Sequence, residues 1–117
     1  MTINVEGDRL LIIGVEVTGS QSAASGKNAQ KMADFFWPNF RKESLTEELK
    51  PRIDALRAEF ETKGVRAQML QSAINYLVTA KNKHARSLAI NPLHIDLVVD
   101  LLETTRDQMF PDFTKNW

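Results

Sequence analysis

The chain of 117 residues contains no cysteine, few glycines and prolines, and no long apolar run. Without cysteine it can form neither disulfides nor thiolate metal sites. The longest uninterrupted apolar stretch, residues 10–13, is far shorter than the roughly 20 residues of a membrane-spanning helix. The first residues lack the basic and apolar regions of a secretory signal. We therefore expect a cytoplasmic protein with no membrane segment.

The chain also lacks net charge, because 15 basic residues balance 15 acidic ones. The field of the whole protein therefore gives no long-range attraction for nucleic acid. The charges are nevertheless separated along the chain. Residues 64–90 contain four Lys or Arg and no acidic residue, whereas residues 91–117 contain five acidic residues against two basic ones. A local patch of either sign can still act over a short range.

The hydrophobic content of 43% allows one domain, residues 1–117, to bury a core. Residues 3–17 predict a β-hairpin with Gly7-Asp8 as its turn, because apolar residues alternate on the second strand. Apolar spacing predicts helices at 27–37, 44–63, 66–82 and 91–110. The predicted fold class is therefore α+β, predominantly α, with the N-terminal β-hairpin packed on a bundle of three to four helices.

Local signals mark several helix ends. Asn91-Pro92 is typical of a cap followed by a proline in the first turn, and Gly64 is typical of a C-cap. Pro51 lies inside the second predicted helix, where it either kinks that helix or belongs to the first turn of a helix that begins there. The third helix is predicted to end near Asn82, because its continuation would turn basic side chains toward the apolar side.

The third predicted helix has a polar face that is almost free of charge. An apolar stripe between Met69 and Val78 predicts its buried side. The opposite side carries neutral amides and hydroxyls: Gln68, Gln71, Ser72, Asn75, Thr79 and Asn82. Such groups cost less free energy to desolvate than charged ones, so this face predicts a partner-binding surface.

The sequence contains no recognisable catalytic constellation and implies no cofactor. Together with the neutral polar face, this favours a non-catalytic protein-interaction module, such as a small adaptor, inhibitor or accessory protein, that binds a protein of unknown identity. An unpaired strand edge or an amphipathic helix would also permit a homodimer.

The alternative is a nucleic-acid-binding regulator that uses residues 66–86. Basic side chains would contact phosphates, while the amides of the preceding helix would read base edges. The basic residues are Arg66, Lys81, Lys83, His84 and Arg86. This alternative is the weaker one, because the amide-bearing face has a single cation near its start.

Other chemistry has little support. Gly26-Lys27 lacks the spacing and the hydroxyl of a phosphate-binding loop. His84 and His94 are the only histidines, and a metal site would need two or three more converging ligands. A spatial Ser–His–Asp triad is not supported by any nucleophile motif. We interpret His94, two residues before Asp96, as a capping or solvated histidine and predict no metal site.

Two further clusters have both a structural and a functional interpretation. The first is a cluster of four aromatic residues, which we predict to fill the core where the hairpin meets the helices. In the alternative, one or two of them stay exposed and anchor an interface. The four are Phe35, Phe36, Trp37 and Phe40. Four acidic residues on one side of the last helix predict a solvated face, or a surface for a basic partner that includes segment 81–86 of a second copy. They are Asp96, Asp100, Glu103 and Asp107.

Overall fold

The computed structural model describes residues 26–41 and 45–115, which contain five helices. The helices are α1 (Gly26–Phe36), α2 (Leu45–Lys63), α3 (Ala67–His84), α4 (Pro92–Met109) and α5 (Pro111–Lys115). α3 packs against α1 and α4, and α4 also packs against α1, α2 and α5. α4 is therefore the central helix of the bundle, in contact with each of the others.

The predicted α+β fold class is wrong for the part of the chain that the structure describes. Of these residues 81% are helical and none lies in a strand. The β-hairpin predicted at 3–17 lies outside the described residues. The α+β class depended on that single short alternating pattern, whereas the described elements all follow the longer helical periodicity. The correct description of them is an all-helical bundle.

The helices predicted at 27–37, 44–63, 66–82 and 91–110 correspond to α1, α2, α3 and α4, with ends that differ by at most two residues. The sequence did not predict α5, because five residues are too few to show a helical period. α2 runs through Pro51. The proline lacks the N–H that would bond to the preceding turn, so α2 has one helical hydrogen bond fewer there.

Two predicted caps have the expected geometry. Gly64, which follows α2, has a φ of +70°, a left-handed conformation that glycine adopts without steric cost. The Asn91 side chain accepts hydrogen bonds from the backbone N–H groups of Leu93, at 3.1 Å, and His94, at 3.3 Å. Pro92 occupies the first turn of α4, as predicted.

α3 extends to His84, so the prediction that it ends near Asn82 is wrong. The prediction assumed that a basic side chain cannot lie on the inner side of a helix. Lys81 can do so because a lysine can bury its aliphatic stem while its charged end stays accessible: the side chain is half-buried, and its Nζ donates to Asp96 Oδ1 on α4 at 2.5 Å.

The core lies between α4 and the helices around it. α1 buries the apolar positions expected from its sequence, and Phe36 and Trp37 are buried while Phe35 and Phe40 pack against the core half-buried. The aromatic cluster is therefore part of the core, and the anchor interpretation is not needed. The largest fully buried side chains include Trp37, Phe60, Met32, Leu77, Ile95, Leu101 and Leu102.

Candidate protein-binding face

The polar side of α3 points away from the bundle. Gln68, Asn75, Thr79 and Asn82 are exposed, and the other two are half-buried. We call this set of six residues (Gln68, Gln71, Ser72, Asn75, Thr79 and Asn82) the amide face. Its exposed positions show that the described helices leave it accessible along most of α3.

The buried side of α3 differs from the predicted stripe. Val78 was assigned to the apolar stripe but is 40% exposed, whereas Tyr76 and Ala80 are buried. α1 and α4 flank α3, and the buried arc is turned from the predicted stripe toward Tyr76. Val78 therefore borders the amide face as an accessible apolar side chain.

A chain of hydrogen bonds connects α4 to the centre of the amide face. Arg106, a buried residue of α4, donates from Nη1 to Gln71 Oε1, and its Nε and Nη2 donate to Asp107 Oδ1 at 3.0 and 2.9 Å. Gln71 Nε2 in turn donates to Asn75 Oδ1 at 2.9 Å. We call the series Asp107–Arg106–Gln71–Asn75 the polar relay.

The polar relay fixes which way both amides point. A guanidinium has no acceptor, so the Gln71 atom that faces it must be the oxygen. Gln71 therefore presents its nitrogen to Asn75, and the Asn75 atom that receives this bond must also be an oxygen. Among the described residues, no acceptor forms a hydrogen bond with the two N–H groups of Asn75 Nδ2. Asn75 is exposed, and its Oδ1 keeps a second lone pair.

Replacing Gln71 with alanine is expected to lower the free energy of unfolding by about 1–2 kcal/mol, because the buried Arg106 would lose an acceptor. Urea denaturation followed by circular dichroism measures this loss. Gln68→Ala is the matched control, since Gln68 is an exposed glutamine on the same face, and its effect should stay within about 0.5 kcal/mol. Equal effects of the two substitutions would show that the relay does not stabilise the fold.

The basic residues proposed for nucleic-acid binding do not form one patch. Arg66 lies at the N-cap of α3, roughly 25 Å along the helix from Lys83. Lys81 is paired with Asp96, and His84 is half-buried. Lys83 and Arg86 are exposed near the other end of α3. A continuous strip of phosphate contacts along the amide face is therefore not formed.

The acidic residues of α4 are partly neutralised within the chain. Asp96 pairs with Lys81, and Asp107 pairs with Arg106 at 2.9 Å. Asp100 is exposed and Glu103 is half-buried. This arrangement fits the interpretation of a solvated face better than that of a strongly acidic docking surface.

His94 is a buried polar residue, so the prediction of a capping or solvated histidine is wrong. It is 2% exposed and its ring stacks on Phe40 at a centroid distance of 4.7 Å. The signal was present in the sequence, because position 94 precedes Val98, Leu101 and Thr105 on one helical face. A neutral, hydrogen-bonded imidazole can occupy such a position.

The hydrogen bonds of His94 define its tautomer and connect three parts of the fold. The carbonyl of Trp37 can only accept, so Nε2 carries the proton and donates to it at 2.9 Å. Nδ1 then accepts from Gln30 Nε2 at 2.9 Å, and Gln30 Oε1 accepts from the backbone N–H of Asn91 at 2.7 Å. Burial lowers the pKa of His94, although the Trp37 carbonyl and the Asp34 carboxylate favour the charged form.

The described ranges contain no group of three or more His, Cys, Asp or Glu side chains arranged to hold a metal ion. None of the helices described is long and apolar enough to cross a membrane. Comparisons of this chain with protein-family models, with curated proteins and with solved structures found no match.

Proposed function

We propose that this protein is a non-catalytic interaction module that binds a protein partner through the amide face of α3. The observation that supports it best is the polar relay, which holds Gln71 and Asn75 in one orientation at the centre of an exposed surface. A side chain that is already ordered loses less conformational entropy when a partner binds. The cytoplasmic location expected from the sequence stays part of this proposal.

The composition of the amide face supports the same function. A partner that covers the amide face has to desolvate amides and hydroxyls, whose lost hydrogen bonds to water it can replace. None of the six side chains of the face is an ion that would have to be desolvated as well. The accessible Val78 adds apolar area at its border. A nucleic-acid ligand would instead need cations spread along the face, and the basic residues lie toward the two ends of α3 or are paired.

Site-specific photo-crosslinking tests this proposal. A photoreactive amino acid would replace Gln68 on the amide face or, as the matched control, Glu59, an exposed residue of α2. In native lysate we expect protein adducts from position 68 and none from position 59, identified by mass spectrometry. Asn75→Lys in the protein labelled at position 68 should reduce the adduct yield by roughly tenfold or more while far-ultraviolet circular dichroism is unchanged.

Two outcomes would contradict the proposal. Equal adduct yields from positions 68 and 59 would show that the amide face is ordinary surface. Adducts at position 68 that consist of nucleic acid, and that disappear with Lys83→Ala and Arg86→Ala, would favour the nucleic-acid alternative instead.

A further inference from the structure

The amide face is nearly symmetric about its centre. Gln68 and Asn82 lie seven residues before and after Asn75, and Gln71 and Thr79 lie four residues on either side. The successive spacings of these five positions, from Gln68 to Asn82, are 3, 4, 4 and 3 residues, which keeps them on one side of the helix and is the same in both directions. A face with this pattern presents similar groups whichever way a second helix runs along it.

This symmetry makes the face complementary to itself in an antiparallel arrangement. If two α3 helices cross at a two-fold axis through Asn75, Gln68 of one copy faces Asn82 of the other, and Gln71 faces Thr79. Each of these pairs contains both a donor and an acceptor. The contact would extend over about 21 Å of helix, the length of 14 residues.

The orientation of Asn75 fits a position on the two-fold axis. Asn75 is exposed, its Nδ2 has two donors without a partner among the described residues, and its Oδ1 keeps a lone pair after accepting from Gln71. Two Asn75 side chains that face each other could therefore form a reciprocal pair of amide hydrogen bonds. A polar Asn in a helix–helix seam is a known way to specify register and oligomeric state.

Charge also favours this face over the other helices as a contact between identical copies. The exposed sides of the other long helices carry ions, for example Lys50 and Asp54 on α2 and Asp96 and Asp100 on α4. Two acidic α4 surfaces in contact would place like charges together, which is unfavourable. Two amide faces bring no such pair together along the seam.

We infer that the partner of the amide face is a second copy of this chain, bound antiparallel with Asn75 of both copies at the two-fold axis. This inference depends on the proposed function, because it names the partner of the same surface.

Sedimentation equilibrium of the purified 117-residue chain tests the inference, with Asn75→Asp and Asn82→Asp as matched variants. We expect the unmodified chain to form a dimer. Asn75→Asp keeps the Oδ1 that accepts from Gln71 but places two carboxylates opposite each other, so the dimer dissociation constant should rise by roughly tenfold or more. Asn82→Asp adds the same charge opposite Gln68, which can donate to it, and should change that constant by less than about threefold.

Two results would overturn the inference: a chain that is monomeric at every concentration, or a dimer that both substitutions weaken equally. The crosslinking experiment separates this failure from that of the proposed function. Adducts at position 68 with other proteins, together with a monomeric chain, would overturn the second copy as partner and leave the amide face as a binding surface. A monomer that gives no adducts would overturn both.

Discussion

Replacing Trp37 with alanine is expected to lower the free energy of unfolding by about 3–5 kcal/mol. The Trp37 side chain is fully buried at the end of α1, and the guanidinium of Arg52 on α2 lies 4.5 Å from the centre of its ring. Alanine would leave a large cavity between the helices and remove the cation–π contact. Since small domains are stable by about 5–15 kcal/mol, this loss would be a large part of the total. Urea denaturation followed by circular dichroism measures it.

Trp37→Phe is the control for this prediction. Phenylalanine keeps an aromatic ring near Arg52 and removes the indole N–H, which is buried without a hydrogen-bond partner among the described residues. The loss of stability should therefore be less than half of that caused by alanine. If alanine and phenylalanine destabilise equally, ring packing at position 37 is not what stabilises this end of the bundle.

Lowering the pH through about 6.5 is expected to destabilise the fold through His94. Burial lowers the pKa of His94 in the folded protein, so the unfolded chain binds a proton at a higher pH than the folded chain does. The stabilisation is therefore complete above the unfolded pKa and decreases as the pH falls toward the folded pKa. The slope attributable to this group is at most about 1.4 kcal/mol per pH unit.

The neighbours of His94 explain why its protonated form is unfavourable in the folded protein. Protonated Nδ1 would meet the amide nitrogen of Gln30, a donor whose own oxygen is held by the Asn91 N–H. The Asp34 carboxylate, 3.5 Å from Nδ1, only partly compensates, and Arg52 opposes the charge.

His94→Gln is the control for the pH dependence. A glutamine amide can still donate to the Trp37 carbonyl but does not titrate. Denaturation midpoints measured between pH 5 and pH 8 should therefore fall less steeply with acid in this variant. The same pH dependence in both proteins would show that His94 is not the group responsible.

The long helices could be predicted from the sequence because their signals are local. Asn91-Pro92 and Gly64 mark helix ends through backbone conformation, and apolar spacing marks α1 to α4. The α+β fold class is wrong for the described residues, because it depended on a short alternating segment that lies outside them. The apolar spacing within α3 also did not predict which neighbours pack against it. α1 and α4 flank α3, and Tyr76 is buried while Val78 is partly exposed.

The amide face could be predicted in part. The absence of charged side chains between Gln68 and Thr79 is visible in the sequence, but the polar relay is not, because Arg106 and Gln71 are 35 residues apart. The same holds for His94, whose partners Gln30 and Trp37 lie 64 and 57 residues away. Contacts of this kind depend on the packing of helices, which periodicity within a single helix does not specify.

The most direct test of the central claim is the NMR spectrum of the side-chain amides in the ¹⁵N-labelled chain. It is recorded in buffer at a concentration below the dimer dissociation constant and again in unlabelled native lysate supplemented with an excess of the unlabelled chain. If the amide face is a protein-binding surface, the Asn75 and Asn82 signals should shift or broaden, because these exposed groups become covered. The Asn39 signal, from an exposed residue after α1, should stay unchanged. Unchanged Asn75 and Asn82 signals, or an equal change at Asn39, would contradict the claim that α3 carries the binding surface.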